Sequence, residues 1–129
     1  MEVINEDNTC MKVILIRHGA TMGNQEKRYI GITDEALCDT GIEKLFKNVH
    51  KDIYPAADKI YVSPMKRCIQ TAQIIYPGRE AVVVDDLKEC DFGRFEGKNY
   101  IELSGDSYYQ KWIDSNATLP FPEGEDVKA

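Results

Sequence analysis

Continuous aliphatic runs that stop abruptly constrain this chain most. Val13 to Ile16 is unbroken by any polar residue, the pattern of a strand covered on both faces. Lys59 to Val62 and Ala81 to Val84 are two further strand candidates. Between them the apolar period changes. Ile42, Leu45, Phe46 and Val49 repeat at helical spacing and predict a helix near 41–50, opened by a capping box of Thr40 with Glu43. Ser63 is suited to an N-cap and Pro64 to a first helical position. Met65, Cys68, Ile69, Ala72, Ile75 and Tyr76 then share one face, and Pro77-Gly78 stops a helix over 64–76. Strands alternating with helices predict an α/β domain with a largely parallel sheet. Ligands of such sheets bind beyond the C-terminal ends of the strands. That rule brings together Arg17-His18, the segment Ser63 to Arg67, and Glu89.

Bulk properties narrow the partners. The 129 residues make one domain, read as a polar tail over 1–10 and a folded unit over 11–129. The net charge of −6 without a long basic run argues against a nucleic-acid surface. It leaves room for a small anion, because a few converging arginines make a local positive pocket. No apolar stretch approaches the roughly 20 residues of a membrane span, and the acidic N-terminus lacks the pattern of a signal peptide. Cys10, Cys38, Cys68 and Cys90 lie far apart and only two histidines are present. Reduced thiols in a cytoplasmic protein, with no metal site and no cofactor, are the expectation. A polar loop is expected over 19–39, one or two short helices between Tyr100 and Ser115, and a loop over 120–126. His50 ends the first helix, where a cation is favourable. Asp91-Phe92-Gly93 spells a kinase metal motif without any other kinase element.

Arg17-His18-Gly19 carries the chemistry. A guanidinium at the end of a buried strand needs an anion, and Gly19 permits a sharp turn or a close ligand approach. A phosphomonoester requires charge neutralisation, an in-line nucleophile and a proton for the leaving oxygen. Arg17 and Arg67 offer paired N–H donors to phosphate oxygens, Asn24 adds a neutral donor, and a helix N-terminus beside Arg67 adds its dipole. Ser63 adds a hydroxyl or backbone contact, unless capping accounts for it.

In these residues the chain resembles the histidine phosphatase superfamily, which includes phosphoglycerate mutases and α-ribazole phosphatases. The first block is Arg17-His18-Gly19-Ala20-Thr21-Met22-Gly23-Asn24, extended by Arg28, Gly31 and Asp34, with Cys38 in a usual Thr place before Gly41. Ser63-Pro64-Met65-Lys66-Arg67 with Thr71-Ala72 forms the second block, and Leu87 to Gly97 the third, an acidic loop. The resemblance implies a three-layer α/β/α sandwich around a mainly parallel sheet, incomplete at its C-terminus. His18 is then the nucleophile that becomes phosphohistidine. Glu89 is the acid and base, a role that calls for desolvation by neighbours such as Phe92. Arg17, Asn24 and Arg67 bind phosphate, and Arg28, Gly31 and Ser63 are further substrate-binding candidates. Lys66 and Arg94 would line an entrance or remain solvated. Trp112, Tyr108 and Tyr109 would cover the pocket or form an aromatic cluster.

The family also has a second active-site histidine, in a His-Gly pair after a later strand. This sequence has no such pair; Phe121 to Asp126 resembles the segment upstream of it, and the chain stops at Ala129. An N-terminal part of a longer protein, or a shortened product, is the expectation. Losing one donor to the phosphoryl group would cost on the order of 10²–10³ in rate. A homodimer, strand exchange or local disorder would cover the missing strand. The implied activities are hydrolysis of a small phosphorylated substrate, α-ribazole phosphate of cobalamin biosynthesis being preferred; mutase-type phosphoryl transfer; or binding of a phosphorylated ligand by a catalytically poor relative.

Overall fold

The computed structural model describes residues 2–4 and 10–125. Its first elements are an antiparallel pair, β1 (Glu2–Ile4) and β2 (Cys10–Lys12), in register Val3 with Met11. Part of the expected tail is therefore strand. Residues 13–16 form no strand. Strand preference needs covered faces to be realised, and Leu15 is 85% exposed. The run instead delivers an irregular chain to Arg17 and His18.

A short helix not anticipated in the polar loop follows, α1 (Met22–Gln25). Thr21 and Asn24 cap it reciprocally: each backbone N–H donates to the other's side-chain oxygen. Next come α2 (Asp39–His50), β3 (Tyr61–Val62), α3 (Lys66–Ile75) and β4 (Val82–Val83). The α/β expectation stands: β3 and β4 are parallel, Tyr61 beside Val82 and Val62 beside Val83, with α3 as the crossover. Both are shorter than their apolar runs.

Two helix starts differ from the sequence pattern. α2 begins at Asp39, so Thr40 lies inside it and cannot be the N-cap; Cys38 takes that position. The Cys38 thiol turns to the Ala20 carbonyl and the Thr40 hydroxyl. α3 begins at Lys66 rather than Pro64, because Asp34 from the preceding loop accepts the Lys66 N–H at 2.7 Å. The Ser63 hydroxyl accepts from the Met65 N–H at 3.4 Å, one turn ahead of the helix.

Two apolar centres hold the chain. Leu37, Leu45 and Ile75 pack α2 against α3, while Phe46, expected on the same face, is exposed. The second gathers Phe95, Leu103, Tyr109 and Phe121 with Tyr29, Phe92 and Trp112. It is built by α4 (Tyr100–Leu103), α5 (Ser107–Asp114) and the tight turn Gly93–Phe95. Trp112, Tyr108 and Tyr109 thus belong to an aromatic cluster. Asp91-Phe92-Gly93 also has a structural role: Asp91 accepts the Gly93 N–H at 2.8 Å and the Glu125 N–H on its carbonyl. Gly93, at φ +58°, fits where a Cβ would lie 2.1 Å from the Pro122 carbonyl. Asp126, the last residue of the segment that resembles the family's, lies outside the described residues. Among the described residues no helix is long and apolar enough to cross a membrane.

The start of α5 yields a pH prediction. Asp106 accepts N–H bonds from Tyr109 and Tyr108 and pairs with Arg94. The Tyr109 bond foremost, then Tyr108 and the charge of Arg94, hold its carboxyl below the usual value. A depressed folded value means that the stabilisation is complete above the unfolded value of about 3.9 and is lost as pH falls through the folded one. Asp106→Asn keeps a capping oxygen without the titration. Urea midpoints between pH 5 and 2.5 should therefore fall less steeply in Asp106→Asn than in wild type.

Candidate active site

His18 reaches the site on the turn that ends the Val13–Ile16 run. Its ring is nearly enclosed, with a side chain 9% exposed. Nδ1 lies 2.6 Å from the Gly19 carbonyl, an oxygen that can only accept, so Nδ1 carries the proton. In the neutral ring this leaves Nε2 its lone pair; Nε2 faces Glu89 Oε1 at 3.8 Å. The Gly19 peptide is itself fixed: its N–H donates to the Thr71 hydroxyl at 2.9 Å, and that hydroxyl donates to the Arg67 carbonyl at 2.7 Å. Thr71, one turn after Arg67 on α3, thereby connects the arginine's helix to the histidine's turn.

Arg67 is 1% exposed. Nη1 donates to the Thr33 carbonyl at 2.6 Å and Nη2 to the Gly31 carbonyl at 2.7 Å. Nη2 also lies 3.8 Å from Glu89 Oε2. Its Nε–H is buried and meets no acceptor among the described residues. A buried guanidinium whose one carboxylate partner among the described residues stands 3.8 Å away, with an unspent donor, has the character of an anion site. Glu89 spans His18 and Arg67, one oxygen toward each. It is 48% exposed, so the expected desolvation is not present. The Phe92 ring instead packs edge-on against Tyr29 and Phe121.

Arg17 and Asn24 line a cavity of about 370 Å³ with His18, Lys44 and Asn48. Arg17 is exposed and makes no ion pair with another described residue. Asn24 spends its carbonyl on the α1 cap, which leaves its amide hydrogens for a ligand. Arg67 and Glu89 are not among the residues that line this cavity.

The weaker candidates have structural partners. Arg28 pairs with Glu26 and Glu102 and donates to the Gly97 carbonyl at 2.7 Å. Glu102 foremost, then Glu26, raises its affinity for its proton. It ties α4 to the α1 loop rather than meeting His18. Ser63 is buried in the turn before α3. Arg94 is committed to Asp106 and lies over the Tyr108 ring. Burial pushes the Cys68 thiol up, partly offset by the Ser63 hydroxyl, so it stays protonated and does not compete with His18. His50 is exposed at the end of α2.

Gly31 acts through its backbone. An added Cβ would stand 1.9 Å from the Cys90 carbonyl and 2.6 Å from Glu96 Oε1. Gly31→Ala must therefore part the loop that holds Arg67 from the loop that carries Glu89. The expected cost is about 2–3 kcal/mol, as for other overpacked sites. A lowered urea midpoint with unchanged slope would show it.

Sequence reasoning missed Thr71, Asp34 and Glu96 as supports of the site. All three fall inside the quoted blocks, but no spacing rule says that they reach Gly19, Lys66 or Gly31.

The description "Histidine phosphatase superfamily (branch 1)" belongs to the family model that matches residues 13–129. The chain belongs to that superfamily. A 2,3-bisphosphoglycerate-dependent phosphoglycerate mutase of Parabacteroides distasonis is 28% identical over 124 residues, 88% of this chain and 50% of the mutase. The fold resembles a solved structure described as "a putative alpha-ribazole-5'-P phosphatase" from Escherichia coli K-12. That match has TM-score 0.76 at 26% identity and covers 88% of this chain and 58% of the other. A phosphoserine phosphatase of Entamoeba histolytica, solved with 3-phosphoglyceric acid, is 34% identical with TM-score 0.68, over 85% of this chain and 53% of that one. This histidine phosphatase chain thus has the phosphoglycerate mutase-like α/β fold and spans about half of the length of the relatives it matches.

Proposed function

We propose that the chain carries the phosphoryl-transfer site of a phosphomonoester hydrolase working through phosphohistidine at His18. The observation that carries this reading is the 2.6 Å contact of His18 Nδ1 with the Gly19 carbonyl, which in the neutral ring puts the proton on Nδ1 and leaves Nε2 to attack. In the first step Nε2 forms a bond to phosphorus as the ester P–O bond breaks, and Glu89 gives its proton to the departing alkoxide. In the second, water attacks phosphorus, the N–P bond breaks, and Glu89 takes the proton back. Arg67, with its unspent Nε–H, and Arg17 neutralise the phosphoryl oxygens.

The substrate proposed is a small phosphomonoester, with α-ribazole 5'-phosphate, and so cobalamin biosynthesis, preferred. The Escherichia coli neighbour supports that preference. A mutase reading is favoured by the Parabacteroides relative, because a phosphohistidine can pass its phosphoryl group to an acceptor alcohol instead of water. A cytoplasmic setting, and a homodimer that covers exposed apolar side chains such as Leu15, complete the proposal.

The test is direct. Incubation with α-ribazole phosphate, phosphoserine and 3-phosphoglycerate should leave an acid-labile phosphoryl group that mass spectrometry locates on His18. Both this chain and the chain joined to the C-terminal segment of the Escherichia coli relative would be assayed. No phosphoenzyme and no phosphate release from either form would overturn the enzyme reading. Tight phosphoester binding without turnover would favour a ligand-binding module.

A further inference from the structure

Glu96 is partly buried, next to Phe95 of the aromatic centre. Oε1 accepts the N–H of Gly31 at 2.8 Å, of Ile32 at 3.1 Å and of Phe92 at 3.4 Å. Oε2 accepts the Thr33 hydroxyl. One carboxylate thus binds both the 31–33 loop and the loop that carries Glu89. It makes no ion pair with a described residue.

The peptide joining Gly31 to Ile32 decides what this does. Its N–H donates to Glu96, and its carbonyl accepts from Arg67 Nη2 at 2.7 Å. In a trans peptide the two groups point in opposite directions. An anion on the N–H side polarises the carbonyl toward a cation on the other. We infer that Glu96 is a positioning residue for the phosphoryl site, setting the orientation of the Arg67 guanidinium through the Gly31–Ile32 peptide and the Thr33 hydroxyl.

Two other contacts fit this role. The Thr33 carbonyl holds Nη1 while the Thr33 side chain is held by Glu96. Asp34, next in the loop, caps the first N–H of α3, one residue before Arg67. Both guanidinium nitrogens that touch protein therefore depend on a loop that Glu96 holds. The Nε–H is left oriented by them. The functional part of this inference rests on the phosphoryl-site reading; the positioning itself does not.

Arginine side-chain NMR on the intact chain separates the two. A guanidinium with both Nη groups bonded gives resolved, slowly exchanging Nη–H signals, assigned here by their loss in Arg67→Lys. They should be present in wild type and lost in Glu96→Ala. Glu96→Asp, which keeps the charge but draws the oxygens back by a methylene, should lose them too. Glu96→Gln, which keeps an acceptor for the three amides, should retain most of them. Should Glu96→Ala fail to fold, the Asp and Gln variants carry the comparison. Absence of the signals in wild type, their survival in Glu96→Asp, or a loss in Glu96→Gln as complete as in Glu96→Asp would overturn the positioning role. Orthovanadate titration of the same samples reads the function. The expected change is about tenfold weaker binding in Glu96→Ala with most of it recovered in Glu96→Gln, which is the size of one lost hydrogen bond to an ion. If wild type shows the NMR pattern but binds no vanadate, the phosphoryl-site reading fails while the positioning role stands. Equal vanadate binding by wild type and Glu96→Ala would overturn the link to function.

Discussion

His18→Ala is expected to remove all acid-labile phosphoenzyme. In whichever form of the protein turns over, it should lower the rate by on the order of 10⁴–10⁶, as loss of a covalent nucleophile does elsewhere. The size of the effect follows from what no neighbour can replace. Glu89 lies 3.8 Å from Nε2, and as acid and base it cannot also attack phosphorus. Burial keeps Cys68 protonated, so its thiol does not take over the attack. His50→Ala is the matching control, because that ring lies exposed at the far end of α2 and should leave labelling unchanged. Labelling that persists in His18→Ala and disappears in His50→Ala would reassign the nucleophile. The substitution should cost little stability, because the ring's one hydrogen bond is to its neighbour's carbonyl.

How much of this was legible in the sequence can be traced residue by residue. His18 and Arg67 were legible because Arg-His-Gly and Ser-Pro-x-x-Arg pack their chemistry into a few consecutive positions. The crossover from β3 through α3 to β4 was legible because apolar period is a local property. Residues 13–16 misled because an aliphatic run reports a preference for extended structure, whereas a strand needs covered faces that the run itself does not encode. The capping box at Thr40 was equally local, and it lost to a start one residue earlier, where Cys38 meets Ala20. Glu89 was placed correctly beside His18 and Arg67, but its exposure depends on where Phe92 packs, and Phe92 turned into the aromatic centre. Glu96 and Thr71 act on partners more than fifty residues away. No spacing rule reaches that far.

Arg67→Ala should produce the largest combined loss, in both stability and chemistry. The guanidinium is 1% exposed, and its removal strands the carbonyls of Gly31 and Thr33. The buried Gly31 acceptor costs about 1–3 kcal/mol when unsatisfied, the exposed Thr33 less, and with the lost contact to Glu89 a loss of about 3 kcal/mol is expected. Urea denaturation at pH 7 should show it as a lowered midpoint with unchanged slope. The chemical loss is separate. Removing one charged donor from the transferring phosphoryl group should slow the reaction by on the order of 10²–10³, measured under conditions where the variant is still folded. Arg67→Lys divides the two effects. One ammonium can meet a loop carbonyl or a phosphoryl oxygen, but it lacks the planar fork that does both at once. It should therefore recover part of the stability and little of the rate. Recovery of full rate by Lys would mean that Arg67 supplies only positive charge, and that the two-carbonyl clamp by Gly31 and Thr33 serves the fold alone.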